Sequence, residues 1–202
     1  MDNNAMFKLT YGLFVVTARE GEKDNGCIIN TVSQVTVAPN RITVAINKQN
    51  YTHDMIMNTG IFNVSVLTEQ SKFATYKNFG FQSGRDVDKF EKVSFKRAEN
   101  SVVYLTEETN AYICGKVVEM VDLGTHTLFI ADVTDARVLS EEASVTYDYY
   151  HKNIKEMPKQ VENTKKGWIC TICGYVYEGE ELPADFICPL CKHGVEDFKR
   201  IE

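Results

Sequence analysis

Four cysteines near the end of the chain constrain it more than any other feature. They form two C-x-x-C pairs, Cys170/Cys173 and Cys188/Cys191, with 14 residues between the pairs. Two residues between thiols suit a tight turn that aims both sulfurs at one metal ion. Two facing turns then give a tetrahedral four-sulfur site. Such a site takes zinc or iron, and the spacing leaves both open, because structural zinc ribbons carry two such pairs about 15–20 residues apart. The segment 167–202 is therefore expected to be a small metal-knuckle domain.

The flanks of the cysteines add a second signal. Trp168 stands two residues before the first cysteine, Tyr175 and Tyr177 follow the second, and Phe186 precedes the third. Pro189 sits inside the second knuckle and Phe198 follows it. An aromatic shell around thiolate-bound iron excludes water and helps to set its reduction potential. The pattern W-x-C-x-x-C-G-Y with a later F-x-C-P-x-C resembles rubredoxin, an electron carrier with one iron on four cysteines. The resemblance departs from free-standing rubredoxins in two places: the insert between the pairs is short, and Lys192 stands where glycine usually follows the last cysteine, with Gly194 two residues later.

Composition bounds the rest. The chain has 202 residues, 44% of them hydrophobic, enough for a packed core and for two domains. Its net charge of −6 argues against nucleic acid as a partner. The longest apolar run near the start is Leu13–Val16, which predicts neither a signal peptide nor a membrane span. A cytoplasmic location follows, and it suits cysteines used as metal ligands. Cys27 and Cys114 lie in strand-like sequence and are expected to be buried core thiols.

From Leu9 to about Val145 the pattern is that of short strands. Phe14–Thr17 is predicted as a strand, broken by a turn over Glu20–Gly26. Cys27–Val37 is rich in β-branched residues and turns at Ala38-Pro39-Asn40. Arg41–Asn47 alternates Ile42, Val44 and Ile46 against Thr43, Ala45 and Asn47, a half-buried strand. Thr52 is placed as the N-cap of a helix over His53–Asn58 that Gly60 ends. Ile61–Leu67 is a further strand, and a helix is expected to start at Thr68 or Ser71 and run through Tyr76. Ala111–Val121 and His126–Leu139 are two long strands joined at Asp122–Thr125. Many short strands with a few short helices at the connections predict a mainly β fold, a closed or split β-barrel.

The composition shifts over residues 152–166, where five lysines stand against two glutamates and few apolar residues. The stretch is predicted to be a linker between a front domain, 1–151, and the tail domain, 167–202. The tail has seven acidic and three basic residues, a surface suited to docking on a basic patch.

No G-x-G-x-x-G and no phosphate-loop motif occurs, so no nicotinamide site of the dinucleotide-fold type is expected. The front domain instead resembles the flavin reductase-like family of FMN-binding split barrels. The run GLFVVTARE, GCIINTVSQVTVAPNRITVAINKQNYTHDMI and TGIFNVSVL carries the likeness, followed by FGFQSGRDVDKF and HTLFIADV. The resemblance implies a homodimer with FMN near the subunit interface and NAD(P)H as electron donor. Asn30, Thr31, Val32 and Ser33 are placed along one strand, with donors for the flavin ring. Asn47, Lys48, Asn50 and Thr52 lie where a strand runs into a helix N-terminus, a suitable phosphate site. By the resemblance, Ser83, Gly84 and Lys89 belong to a loop over the flavin, and His126 lies beside the flavin or the nicotinamide. Tyr149, Tyr150 and His151 are expected to form a packed aromatic cluster at the domain's end.

A flavin accepts a hydride and can release its electrons singly, while an iron on four cysteines takes one at a time. The pairing of the two modules resembles the high-molecular-weight rubredoxins, a family whose acceptor is a flavodiiron protein reducing nitric oxide or dioxygen. The expected order is NAD(P)H to FMN, FMN to iron, and iron to a protein acceptor. Two other readings stand beside it. One is a plain flavin reductase with an accessory tail, and the other is a zinc-ribbon binding protein without redox chemistry.

Overall fold

The structure is a computed structural model and describes residues 5, 8–155, 167–171, 175–188 and 194–201. Its first nine strands are β1 Phe14–Glu20, β2 Lys23–Ile29, β3 Val32–Val37, β4 Asn40–Asn47, β5 Ile61–Leu67, β6 Phe95–Arg97, β7 Val103–Leu105, β8 Thr109–Asp122 and β9 His126–Val138. Seven of them form one sheet in the order β2-β1-β5-β8-β9-β4-β3. Every neighbouring pair in it is antiparallel.

That order dictates the shape. β2 and β3 are the two edges of the sheet, yet only Asn30 and Thr31 separate them in the chain. Strands sit about 4.8 Å apart, so six steps laid flat would put the edges about 29 Å apart. A connection this short reaches about 10 Å. The sheet must therefore curl until its edges approach, and the result is a split barrel. The Oγ1 of Thr31 donates to the carbonyl of Ala45 on β4 at 2.8 Å and accepts from the Ala45 N–H at 3.2 Å, tying the crossing to the far edge.

Alternation fills the barrel as the sequence predicts on β4, where Ile42, Val44 and Ile46 are buried. They join Val16, Ala18, Cys27, Phe62, Val64 and Phe129 in one core. Phe62 covers Gly115, where an added Cβ would lie 2.5 Å from the ring, so that position has room for glycine alone. Cys27 and Cys114 are both buried, as expected. Helix α1, Tyr51–Thr59, packs Met55 and Ile56 inward and ends at Gly60 in the left-handed conformation. Helix α2, Phe73–Gly80, packs Tyr76 and Phe79 into a second core with Leu13, Val15, Phe90, Leu105 and Tyr150.

A small β6–β7 sheet crosses the barrel wall, held by buried polar groups. Asn63 Nδ2 donates to the Val102 carbonyl at 2.8 Å, and Ser65 Oγ accepts from the Leu105 N–H at 3.0 Å. Each buried polar side chain here answers a backbone group that would otherwise lose its partner.

Four expectations change. The turn over Glu20–Gly26 contracts to Gly21-Glu22, because Lys23–Gly26 pair with β1 as strand; Gly21 takes the positive φ that a two-residue hairpin requires. Asn30–Ser33 do not share one strand: the chain breaks at Asn30 and Thr31. Thr52 is inside α1 rather than its cap, since the helix starts at Tyr51 with Asn50 as N-cap. α2 starts after Lys72 and continues beyond Tyr76 to Gly80.

At the end of the front domain α3, Tyr147–Tyr149, passes into a π-helical turn, Tyr150–Ile154, where the Lys155 N–H donates to the Tyr150 carbonyl at 2.8 Å. Residues 152–155, expected in the linker, are thus built into this turn, and 156–166 lie outside the described residues. The tail is a three-stranded sheet in the order β11-β10-β12, with β10 Gly167–Cys170, β11 Val176–Tyr177 and β12 Phe198–Ile201. Among the described residues no helix is long and apolar enough to cross a membrane.

Candidate functional site: a polar cleft and a cysteine knuckle

The crossing between β2 and β3 opens one wall of a cleft of about 820 Å³. That volume is of the size that small-molecule and cofactor sites occupy. Asn30, Thr31, Asn47, Asn50, Thr52, Ser83, Gly84, Lys89 and His126 all line it. Residues from four separate stretches of sequence therefore converge on one cavity.

Val32, Ser33 and Lys48 do not line the cleft. Val32 packs against the barrel core, and Ser33 is exposed on β3. Lys48 turns outward, where its Nζ donates to Asp122 Oδ1 at 2.7 Å on the β8–β9 hairpin. The cation at the α1 end of the cleft is Arg85, stacked 4.8 Å over the Tyr51 ring and paired with Asp54. The α1 N-terminus opens on the same end, and Asn50 makes no side-chain cap bond. A helix start with uncapped N–H groups beside a guanidinium is a suitable anion seat.

The cleft floor holds groups the sequence reading passed over. Asn25 Nδ2 donates to Thr52 Oγ1 at 3.0 Å, while its Oδ1 is buried without a hydrogen-bond partner. Gly84 closes over that amide: a Cβ there would fall 2.0 Å from Asn25 Oδ1. Lys89 is 4% exposed and donates to the carbonyls of Gly26 at 2.9 Å and Phe79 at 3.1 Å. Burial lowers its ammonium to about 8, with the nearby Cys27 acting against that fall. Burial likewise pushes the Cys27 thiol up, against a hydrogen bond from Thr52. Tyr147, Tyr150, His151 and Lys155 also line the cleft. Tyr150 packs 4.4 Å from Tyr76, so the aromatic cluster expected at the domain's end is also a wall of the cleft.

His126 opens β9 at the cleft rim, its Nδ1 2.9 Å from Thr125 Oγ1. The strand pairing sets it opposite Asn47. A planar ring with a polar edge fits this cavity: apolar walls, an unsatisfied buried oxygen and a helix start at one end. FMN has that chemistry.

In the tail, Cys170 and Cys188 are fully buried within Trp168, Tyr175, Tyr177, Phe186 and Phe198. The Cys170 N–H donates to the Tyr175 carbonyl at 2.8 Å, folding the chain back after the first pair. Cys173 and Cys191, expected as the other two ligands, lie outside the described residues, as does Lys192. Two buried thiols in a dry aromatic shell fit a thiolate-bound metal.

Fold and sites together define an oxidoreductase with a flavin-binding barrel and a rubredoxin-like tail. The chain belongs to the flavin reductase like family, whose model matches residues 6–158, and residues 168–199 match a rubrerythrin, rubredoxin-like domain. Over the full length of both chains it is 38% identical to a high molecular weight rubredoxin of Moorella thermoacetica. It is also 39% identical to a ferric-chelate reductase (NAD(P)H) of Archaeoglobus fulgidus, over 75% of this chain and 89% of that protein. Among solved structures, the NADH:FAD oxidoreductase SgcE6 of Streptomyces globisporus shares the fold, with a TM-score of 0.64 at 21% identity, over 71% of this chain and 84% of that one.

Proposed function

We propose that this protein passes electrons from NAD(P)H through FMN in the cleft to one iron held by Cys170, Cys173, Cys188 and Cys191, and on to a protein acceptor. The observation that carries the reading is that one chain joins a cleft with a buried unsatisfied oxygen to a dry cysteine knuckle. FMN supplies the conversion between a two-electron donor and a one-electron iron.

The chain's own residues position these groups. Asn25, Asn30 and Thr31 border the ring, and the α1 start with Asn50, Thr52 and Arg85 takes the phosphate. Ser83 and Gly84 cover the ring, and Lys89 fixes that loop to Gly26 and Phe79. His126 orients the nicotinamide at the rim. A second copy of the chain covers Val35, Val37, Met120, Val121 and Leu123, which stand exposed along β3, β8 and the β8–β9 turn. Reduced thiol ligands suit the cytoplasm. The acceptor of this reading is a flavodiiron protein, taken from the likeness to the two-module family.

The test is a preparation purified in air. About one flavin and one iron per chain support the reading, and a colourless, zinc-loaded protein contradicts it. A second reading is favoured by the ferric-chelate reductase match, which spans 75% of this chain. In it the barrel reduces a small acceptor directly, and Cys170→Ser leaves that activity whole.

A further inference from the structure

A hydrogen bond within one subunit joins the cleft to the end of β10. Lys155 Nζ donates to the carbonyl of Thr171 at 3.0 Å. Lys155 lines the cleft, and Thr171 directly follows the buried Cys170. A second point of approach stands beside it. The Asp197 carboxylate lies close enough to Tyr147, also a cleft residue, to help burial push that phenol up. On the tail side these two points form one unit, because the Thr171 N–H and Oγ1 both donate to the Asp197 carbonyl, at 2.8 and 3.0 Å. On the barrel side they are also one unit, α3 and the π-helical turn that ends at Ile154.

We propose that the end of β10, at Cys170 and Thr171, docks over the mouth of its own subunit's cleft, and that Lys155 is the residue that positions it. The inference deepens the reading above, on which its redox arm rests. A flexible tether alone would leave the tail free to serve either subunit, whereas a lysine seated on the knuckle backbone fixes which cleft it faces. Charge is compatible with the match, since the tail to which Lys155 bonds has seven acidic and three basic residues.

The test compares Lys155→Gln and Lys155→Arg with the wild-type full chain. Hydrogen exchange reads docking without any electron transfer: amides 167–171 exchange faster in K155Q, and K155R restores wild-type protection. Rapid mixing with reduced nicotinamide reads the consequence. Iron bleaching, timed from the moment the flavin is reduced, is first order and independent of protein concentration in the wild type. It slows about tenfold in K155Q and recovers in K155R. Mixed dimers settle the subunit: a chain with intact flavin and a Cys170→Ser tail, paired with an intact tail on a flavin-depleted barrel, gives slow bleaching. Wild-type protection in K155Q, or full-speed bleaching in the mixed dimer, overturns the proposal. If iron never bleaches even in the wild type, the electron route fails while the exchange data still decide the docking.

Discussion

Asn25 Nδ2 donates a 3.0 Å hydrogen bond to Thr52 Oγ1, and that bond fixes an amide whose Oδ1 has no partner. β2 and α1 are locked together by it, and one acceptor is left buried beneath Gly84. A buried acceptor without a donor costs about 1–3 kcal/mol. A ligand N–H that reached it on a shift of Gly84 would recover much of that cost.

The roof over this amide is sensitive to a single methyl. In Gly84→Ala the new Cβ meets Asn25 Oδ1 at 2.0 Å, and the amide is tethered and cannot swing away freely. FMN affinity is expected to fall about tenfold or more, equivalent to about 1.4 kcal/mol, read by flavin fluorescence titration. Unchanged affinity would remove Asn25 and Gly84 from the site.

Lys89 gives a pH signature. The unfolded lysine keeps its proton to about 10.5 and the folded one releases it near 8. Between those values the unfolded chain binds more protons, so this group makes stability rise with pH. Cys114 and Tyr76, each pushed up to about 12 by burial, pull the other way, but they are common to wild type and Lys89→Met. The stability of wild type relative to K89M is expected to grow on the order of 2–3 kcal/mol from pH 8 to 10.5, measured by urea unfolding.

Core packing gives a third outcome. Gly115 lies against the fully buried Phe62, and a Cβ there would come 2.5 Å from the ring. Gly115→Ala should destabilise the barrel by about 1–3 kcal/mol, seen as a lower denaturation midpoint with an unchanged slope.

The knuckle can be tested apart from the barrel. Cys188→Ser removes a fully buried thiol from the tail. Metal content should fall sharply, while flavin binding and the unfolding midpoint of the barrel stay at wild-type values. A barrel that loses its flavin along with the metal would contradict the two-module account.

What was legible in the sequence follows from periodicity. Ile42, Val44 and Ile46 alternate without interruption, and Gly60 and Asp122–Thr125 punctuate cleanly, so β4, the end of α1 and the long hairpin fall where expected. The first half of β2 was hidden because Lys23-Asp24-Asn25-Gly26 carries turn chemistry, yet it pairs with β1 residue by residue. Part of that polarity belongs to the site, since Asn25 is in the cleft. Three-residue strands such as β6 and β7 leave no period to read, and their anchors Asn63 and Ser65 look like ordinary strand residues. Lys155 looked like one of several linker lysines. Only the fold of the π-helical turn brings it to Thr171.

The central claim is that electrons enter at the barrel cleft and leave through the cysteine knuckle. Its most direct test is anaerobic mixing of the flavin- and iron-loaded chain with reduced nicotinamide, followed at the flavin and ferric-thiolate absorption bands. The account predicts that the flavin band bleaches first and the iron band follows, with no added mediator. An iron band that persists while the flavin is fully reduced would contradict it.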